Sequence, residues 1–165
     1  MKRIISILLI IVFAALLLTA CAADPLYQKN EATADEAATE AEITVDINQY
    51  NKDFKGLQQY LLDCELIWDD EKHPTTDLYP EILGAEDAIR YTLNNNAYIE
   101  FYSYSGEKNE LAQKVFEQVE SEGTFEIAGL DALTGVISGS GSFLAVYDAK
   151  IKYDYDKIIE EFKKF

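Results

Sequence analysis

The chain contains one histidine, His73, and this limits the catalytic and metal sites that it can build. A histidine-rich zinc site needs more than one such ligand. A Ser–His–Asp triad would need His73 to meet a serine from a distant part of the fold, and the sequence has no G-x-S-x-G turn to present one. We therefore expect neither a histidine-rich zinc site nor a serine hydrolase.

Acidic residues could supply two other kinds of chemistry. Asp69, Asp70 and Glu71 are consecutive and Asp77 follows them, so their oxygens could bind calcium. The EF-hand spacing is absent, and consecutive acids on an extended segment point in different directions, which favours a solvated acidic loop. Two carboxylates about 5 to 10 Å apart could instead hydrolyse a glycosidic bond. With 30 acidic residues, the sequence does not nominate a pair. A calcium-binding surface domain and a carboxylate-dependent cell-wall hydrolase remain alternatives.

The segment SGSGS, residues 138–142, has the small residues of a phosphate-binding loop. A P-loop requires G-x-x-x-x-G-K-[ST] before a helix, and here no lysine is present and a strand follows. We interpret these residues as the turn of a hairpin. No cofactor-binding motif is present elsewhere, and we expect no cofactor.

Tyrosines suggest a binding surface, since the chain has eleven of them. Tyr98, Tyr102 and Tyr104 fall on the outer face of a predicted hairpin, and exposed tyrosine rows suit contacts with proteins or sugars. The competing interpretation, which we favour, is that helices cover this face and the three rings lie at the edge of the core. An interaction face at these tyrosines is therefore a hypothesis.

Three helices are predicted to position these residues, each from apolar residues at helical spacing. The first begins near Phe54, with Asn51 or Asp53 as its N-cap. The second ends at Gly123, and the third is capped near Asp154 and runs to the end of the chain. Each helix has one apolar stripe, so each should pack against a sheet.

The clearest hairpin has Asn94–Asn96 as its turn, because asparagine tolerates the positive φ that tight turns need. A three-residue loop pairs Tyr91 with Ile99 and gives one wholly apolar face. A two-residue loop would mix polar and apolar residues on both faces, so we predict the three-residue register. It also predicts a cross-strand ion pair between Arg90 and Glu100.

Hairpins rather than crossovers join most of the predicted strands, and a short first strand is expected at residues 44–47. This order favours an α+β fold in which a mostly antiparallel sheet has about three helices packed on one face. Residues 44–165 are enough for a single domain with its own core. Cys64 lies on the apolar stripe of the first helix, which predicts a buried, unreactive thiol.

The N-terminus predicts export. Lys2 and Arg3 precede an apolar run in which Ser6 is the only polar residue before position 19. This order is typical of a secretory signal peptide, and an uncleaved membrane anchor is the alternative.

The four residues Leu18-Thr19-Ala20-Cys21 resemble a bacterial lipobox. The resemblance implies that the thiol of Cys21 receives diacylglycerol and that residues 1–20 are cleaved as a lipoprotein signal peptide. Two acyl chains give stable membrane anchoring. Residues 21–43 would then be a lipidated cysteine followed by a disordered acidic linker, because they contain too few apolar groups to form a core. The expected location is extracytoplasmic, on the outer face of the cytoplasmic membrane or on an outer membrane if the cell has one.

The net charge and the C-terminus complete the prediction. A formal net charge of −16 disfavours nucleic acid as a partner.

The closing segment GSFLAVYDAKIKYDYDKIIEEF loosely resembles small uncharacterised lipoproteins associated with Gram-positive bacteria. The resemblance implies a fold but no activity. Our hypothesis is a non-catalytic binding or accessory lipoprotein, with the membrane and an envelope protein or glycan as its partners.

Overall fold

Six β-strands and three α-helices make up the part of the chain that a computed structural model describes, residues 45–127 and 132–165. The predicted signal peptide, the linker and Thr44 lie outside the described residues. The helices are α1 (Phe54–Asp63), α2 (Glu110–Glu122) and α3 (Asp156–Lys164). The strands are β1 (Thr75–Asp77), β2 (Asp87–Thr92), β3 (Tyr98–Ser103), β4 (Thr124–Phe125), β5 (Leu133–Ile137) and β6 (Phe143–Tyr147).

All six strands belong to one sheet with the order β1-β2-β3-β6-β5-β4, and every neighbouring pair is antiparallel. The predicted fold class, an α+β fold with an antiparallel sheet and three helices, is confirmed. Residues 42–165 form one compact unit that contains both hydrophobic clusters, so this unit has a hydrophobic core of its own. Among the described residues, no helix is long and apolar enough to cross a membrane.

The register of the β2–β3 hairpin is the one that the sequence predicts. Tyr91 pairs with Ile99 and Arg90 pairs with Glu100. The turn is Asn94–Asn96, in which Asn95 and Asn96 have φ values of 61° and 60°. This left-handed conformation favours asparagine over most other residues. Tyr91 and Ile99 are buried, as the prediction of an apolar face requires.

The helices lie on both faces of the sheet, which corrects the prediction that all of them pack on one face. Residues of α1 and α3 pack in a cluster with Ile99 and Phe101, whereas residues of α2 pack with Tyr102. Successive residues of a strand point to opposite faces, so these two clusters lie on opposite sides of β3. The central strands are therefore buried on both sides.

The predicted first strand is wrong for the residues that the structure describes. Residues 45 and 46 form no strand, and Ile47–Gln49 is a 3₁₀ turn. The Asp46 carboxylate caps this turn by accepting a hydrogen bond from the Asn48 amide at 3.0 Å. An aspartate at this position stabilises a turn more readily than an extended strand.

The predicted caps of α1 and α2 are confirmed, whereas the N-cap of α3 is Tyr155, and Asp154 before it accepts a hydrogen bond from the Asp156 amide at 3.1 Å. Asp53, rather than Asn51, caps α1 and accepts a hydrogen bond from the Gly56 amide at 2.7 Å. Gly123 ends α2 with a φ of 70°.

Cys64 follows α1, is partly buried and packs against the core, and burial raises the pKa of its thiol. This places Cys64 among the less reactive thiols.

Candidate functional site

A cavity of about 600 Å³ lies on the α2 side of the sheet. Ligand-binding pockets commonly have volumes of this size. Part of its surface comes from the 3₁₀ turn Pro80–Leu83 and the residues before it, and part comes from β2, β3 and the start of β5. Its aliphatic lining consists of Leu78, Ile82, Leu83, Ile127 and Leu133. Its aromatic and charged lining consists of Tyr79, Arg90, Tyr98, Glu100 and Tyr102.

The polar part of the cavity is an ion pair in which the carboxylate is buried and the guanidinium is partly exposed. Glu100 is only 6% exposed, and its Oε1 accepts hydrogen bonds from Nε of Arg90 at 2.9 Å and from Nη2 of the same side chain. Its Oε2 accepts a hydrogen bond from the hydroxyl of Tyr102 at 2.7 Å. The β2–β3 register creates this group, because it places Arg90 opposite Glu100 and puts Tyr102 two residues further along the same face.

Two tyrosines support the ion pair. Burial raises the pKa of Tyr102, and the negative charge of Glu100 together with the hydrogen bond raises it further. The Tyr102 hydroxyl therefore keeps its proton and remains a donor to Glu100 at neutral pH. The ring of Tyr98 lies under the guanidinium of Arg90, with 4.4 Å between Cζ and the ring centroid, which is a cation–π contact.

The side chain of Asn109 connects the end of the turn Pro80–Leu83 to the start of α2. Its Nδ2 donates to the carbonyl of Gly84 at 3.0 Å, and its Oδ1 accepts from the Ala112 amide at 2.9 Å and so caps α2. Gly84 has a φ of 67°, and a Cβ at this position would collide with the Asn109 amide. Glycine is required here for both reasons.

The tyrosine row does not form the exposed face that a binding surface would need. Tyr102 and Tyr104 are only 6% and 5% exposed, because α2 and the turn Pro80–Leu83 cover them. Tyr104 packs edge-on against Phe116 of α2, and its hydroxyl donates to the Leu83 carbonyl at 3.3 Å. Of the three tyrosines, Tyr98 alone is partly exposed, so the interaction hypothesis narrows to Tyr98.

The lone histidine joins two loops. Nδ1 of His73 lies 3.0 Å from Oδ1 of Asp70, and Nε2 lies 3.1 Å from Oδ1 of Asn94. The ring also packs on Trp68, with 5.0 Å between the centroids. These contacts connect the loop before β1 to the turn of the β2–β3 hairpin, which is a structural role.

The neighbouring acids do not converge. Backbone hydrogen bonds from His73 and Lys72 lower the pKa of the Asp70 carboxyl, which stabilises the loop in its ionised form. Within residues 45–127 and 132–165, no group of three or more histidine, cysteine or acidic side chains could hold a metal ion.

Residues 138–142 form a hairpin turn between β5 and β6, as predicted. The amide of Ser138 donates to the Phe143 carbonyl at 3.0 Å, and the amide of Gly141 donates to the Ser138 carbonyl at 2.9 Å. Ser138 is buried, and its hydroxyl lies 3.0 Å from that of Ser140. The hydroxyls are used within the turn itself.

The cavity is the feature that sequence reasoning missed. The sequence predicts the cross-strand pair of Arg90 and Glu100, but it does not predict that Glu100 is buried or that a cavity lies beside it. The one available signal was the position of Glu100, which alternates with Ile99 and Phe101 on a strand that contains several tyrosines. A charged residue inside such a strand indicates either a solvent-facing side or a buried polar site.

Taken together, the described residues define an α+β domain with an antiparallel sheet and an apolar cavity bordered by a partly buried ion pair. Comparisons with protein-family models, with curated proteins and with solved structures find no match for the chain. The geometry of the cavity is therefore the basis for a functional proposal.

Proposed function

We propose that this chain is a non-catalytic binding lipoprotein, anchored outside the cytoplasm through lipid on Cys21, that takes an apolar ligand into the cavity beside the turn Pro80–Leu83. The observation that carries this proposal is the cavity of about 600 Å³ with five leucine and isoleucine side chains in its lining. A concave apolar site with a few polar groups is the usual form of a small-molecule binding site.

The polar groups of the cavity support binding rather than hydrolysis. Of the described residues that line it, Glu100 is the one carboxylate, and both of its oxygens already accept hydrogen bonds. Hydrolysis of a glycosidic bond by the usual mechanism needs two carboxylates on either side of the bond. A calcium-binding role has less support, because the acids of the loop before β1 do not converge.

The anchor rests on the lipobox-like residues Leu18-Thr19-Ala20-Cys21. Replacing Cys21 by alanine should abolish the incorporation of an alkyne-tagged palmitate in bacteria that process lipoproteins, because the acceptor thiol is gone. The tagged lipid would be measured by gel fluorescence. Cys64→Ala is the matched control, since it removes the other cysteine and should leave the label unchanged. Persistent labelling of Cys21→Ala would contradict the proposed anchor.

Ligand uptake by the cavity can be measured with a neutral naphthylamine dye whose fluorescence rises in apolar surroundings. Ile82 lines the cavity and is 51% exposed, so Ile82→Asp should leave the fold intact and weaken dye binding by about tenfold or more. The variant places a charge beside the apolar lining, where the dye would bind.

Leu111 provides the control for this measurement. It is 43% exposed but lies on α2 outside the cavity lining, so Leu111→Asp should bind the dye as the unchanged chain does. Equal loss of binding in both variants would indicate adsorption to exposed apolar surface. No loss in Ile82→Asp would place the dye outside the cavity.

A further inference from the structure

We propose that the ligand of the cavity is an aliphatic monocarboxylate, a fatty acid, and that the guanidinium of Arg90 binds its carboxylate. This inference rests on the proposed binding function and specifies the chemical class of the ligand. It depends on which hydrogen-bonding groups of the cavity remain unused.

The unused groups are donors. A guanidinium has five N–H groups, and Arg90 uses two of them on Glu100. The other three have no acceptor among residues 45–127 and 132–165, although the Arg90 side chain is 38% exposed and borders the cavity. The Tyr98 hydroxyl likewise has no hydrogen-bond partner within those ranges. The head of a ligand must therefore accept hydrogen bonds.

The acceptors of the ion pair are already occupied. Oε1 of Glu100 accepts from Arg90, and Oε2 accepts from Tyr102. An ammonium group would share the Glu100 oxygens with Arg90 and Tyr102 and would lie close to a guanidinium, which repels it. A carboxylate fits better, because its two oxygens match the N–H groups of an arginine in number and spacing.

The charge of the chain favours a ligand with a single negative charge over one with two. Glu100 balances Arg90, and the whole chain has a formal net charge of −16. A phosphate with two negative charges would be repelled more strongly than a monocarboxylate by this acidic protein. The charge therefore favours a carboxylate over a phosphate.

The body of the ligand follows from the lining. Five of the seven non-aromatic residues that line the cavity are leucine or isoleucine. Such flexible aliphatic groups suit a hydrocarbon chain, and a sugar would leave its hydroxyls without partners there. An aliphatic chain that ends in a carboxylate satisfies both parts of the cavity.

Arg90 is also held in place before any ligand binds. Two hydrogen bonds to Glu100 and the ring of Tyr98 fix its guanidinium, so little side-chain freedom is lost when a carboxylate binds. Arg90 is thus a preorganised donor for the ligand head.

The test uses residues 42–165, the compact unit that contains the cavity, and measures displacement of the naphthylamine dye below the micelle concentration of each competitor. Octanoate, decanoate and dodecanoate should bind with affinities that rise about fourfold for each added methylene that the cavity buries. Decanoate should bind about tenfold or more tightly than 1-decanol, which has the same chain without the charge.

The role of Arg90 is tested with Arg90→Gln/Glu100→Gln, which replaces the ion pair by two neutral amides. The side-chain carbonyl of Glu100→Gln can still accept the hydrogen bond that Tyr102 donates. The tenfold advantage of decanoate over 1-decanol should fall below twofold in this variant. Leu111→Asp, outside the lining, should retain the advantage. Circular dichroism and the unfolding temperature show whether each variant is folded.

The outcomes separate the two proposals. Equal binding of decanoate and 1-decanol by the unchanged chain would overturn the carboxylate proposal and leave the apolar cavity as the binding site. A carboxylate preference that survives in Arg90→Gln/Glu100→Gln would overturn the role of Arg90. Failure of the dye and of both competitors to bind would overturn the fatty acid and the proposed binding function together.

Discussion

Replacing Arg90 by methionine should destabilise the domain by about 2 to 3 kcal/mol, because it leaves the buried carboxylate of Glu100 without its cation. Removal of one partner from a fully buried ion pair commonly costs about 3 to 5 kcal/mol. The effect here should be smaller, since Arg90 is 38% exposed and Tyr102 still donates to Glu100. Urea unfolding followed by circular dichroism measures the change.

The matched comparison removes the whole polar group. In Arg90→Met/Glu100→Met/Tyr102→Phe, no charge and no hydroxyl is left buried without a partner, and the replacements have similar volumes. This triple variant should lose about 1 kcal/mol or less relative to the unchanged chain. If the triple variant were less stable than Arg90→Met, the ion pair would be a net source of stability. The expected order would show that stability alone does not account for these polar residues.

Replacing Phe101 by alanine should destabilise the domain by about 3 to 5 kcal/mol, the largest effect that we expect from any single substitution. Phe101 is fully buried between β3 and α3, with its ring centroid 5.6 Å from that of Phe162 and 6.0 Å from that of Tyr91. The loss combines the transfer of a large apolar group to water with the cavity left behind. Thermal and urea unfolding measure it.

Leu111→Ala is the control for Phe101→Ala, because Leu111 is an exposed apolar residue and its replacement should change stability by about 0.5 kcal/mol or less. Phe101 lies on the face of the sheet opposite the cavity. At temperatures where Phe101→Ala is still folded, it should therefore bind the naphthylamine dye normally. If Phe101→Ala lost less than 1 kcal/mol of unfolding free energy, the packing of α3 on β3 would be contradicted.

The hairpin shows how far local sequence patterns reach. The register of β2 and β3 follows from the alternation of Ile99 and Phe101 with polar residues and from the three asparagines of the turn. These signals lie within a few residues of one another, so they can be read without knowing the rest of the fold. The same pairing predicts the contact between Arg90 and Glu100.

The placement of the helices could not be predicted in this way. The apolar stripe of α2 indicates that the helix is buried, but it does not indicate on which face of the sheet. Strand β6 carries a signal of its own, because Phe143–Tyr147 reads FLAVY without alternation, which is typical of a strand covered on both faces. That pattern indicates that helices cover both faces of the sheet. The helix on the second face, α2, buries Tyr102 and Tyr104.

The shape of the cavity cannot be predicted from local sequence patterns. Its surface combines a 3₁₀ turn, three strands and Ile127, which are distant in the chain and meet only when the fold is complete. Proline and glycine around Pro80–Leu83 identify an irregular connection, but they do not indicate that its side chains face Glu100.

The double role of Asn109 has a consequence for the kinetics of ligand binding. One amide side chain binds both the end of the turn Pro80–Leu83 and the first turn of α2, so an outward swing of the turn would break its hydrogen bond to a side chain that the helix cap already holds in place. Such a linkage disfavours a lid that opens and closes with each ligand. We expect association to follow a single bimolecular step without a slow isomerisation, and the Ala112 amide to exchange its hydrogen no faster in the free protein than in the complex.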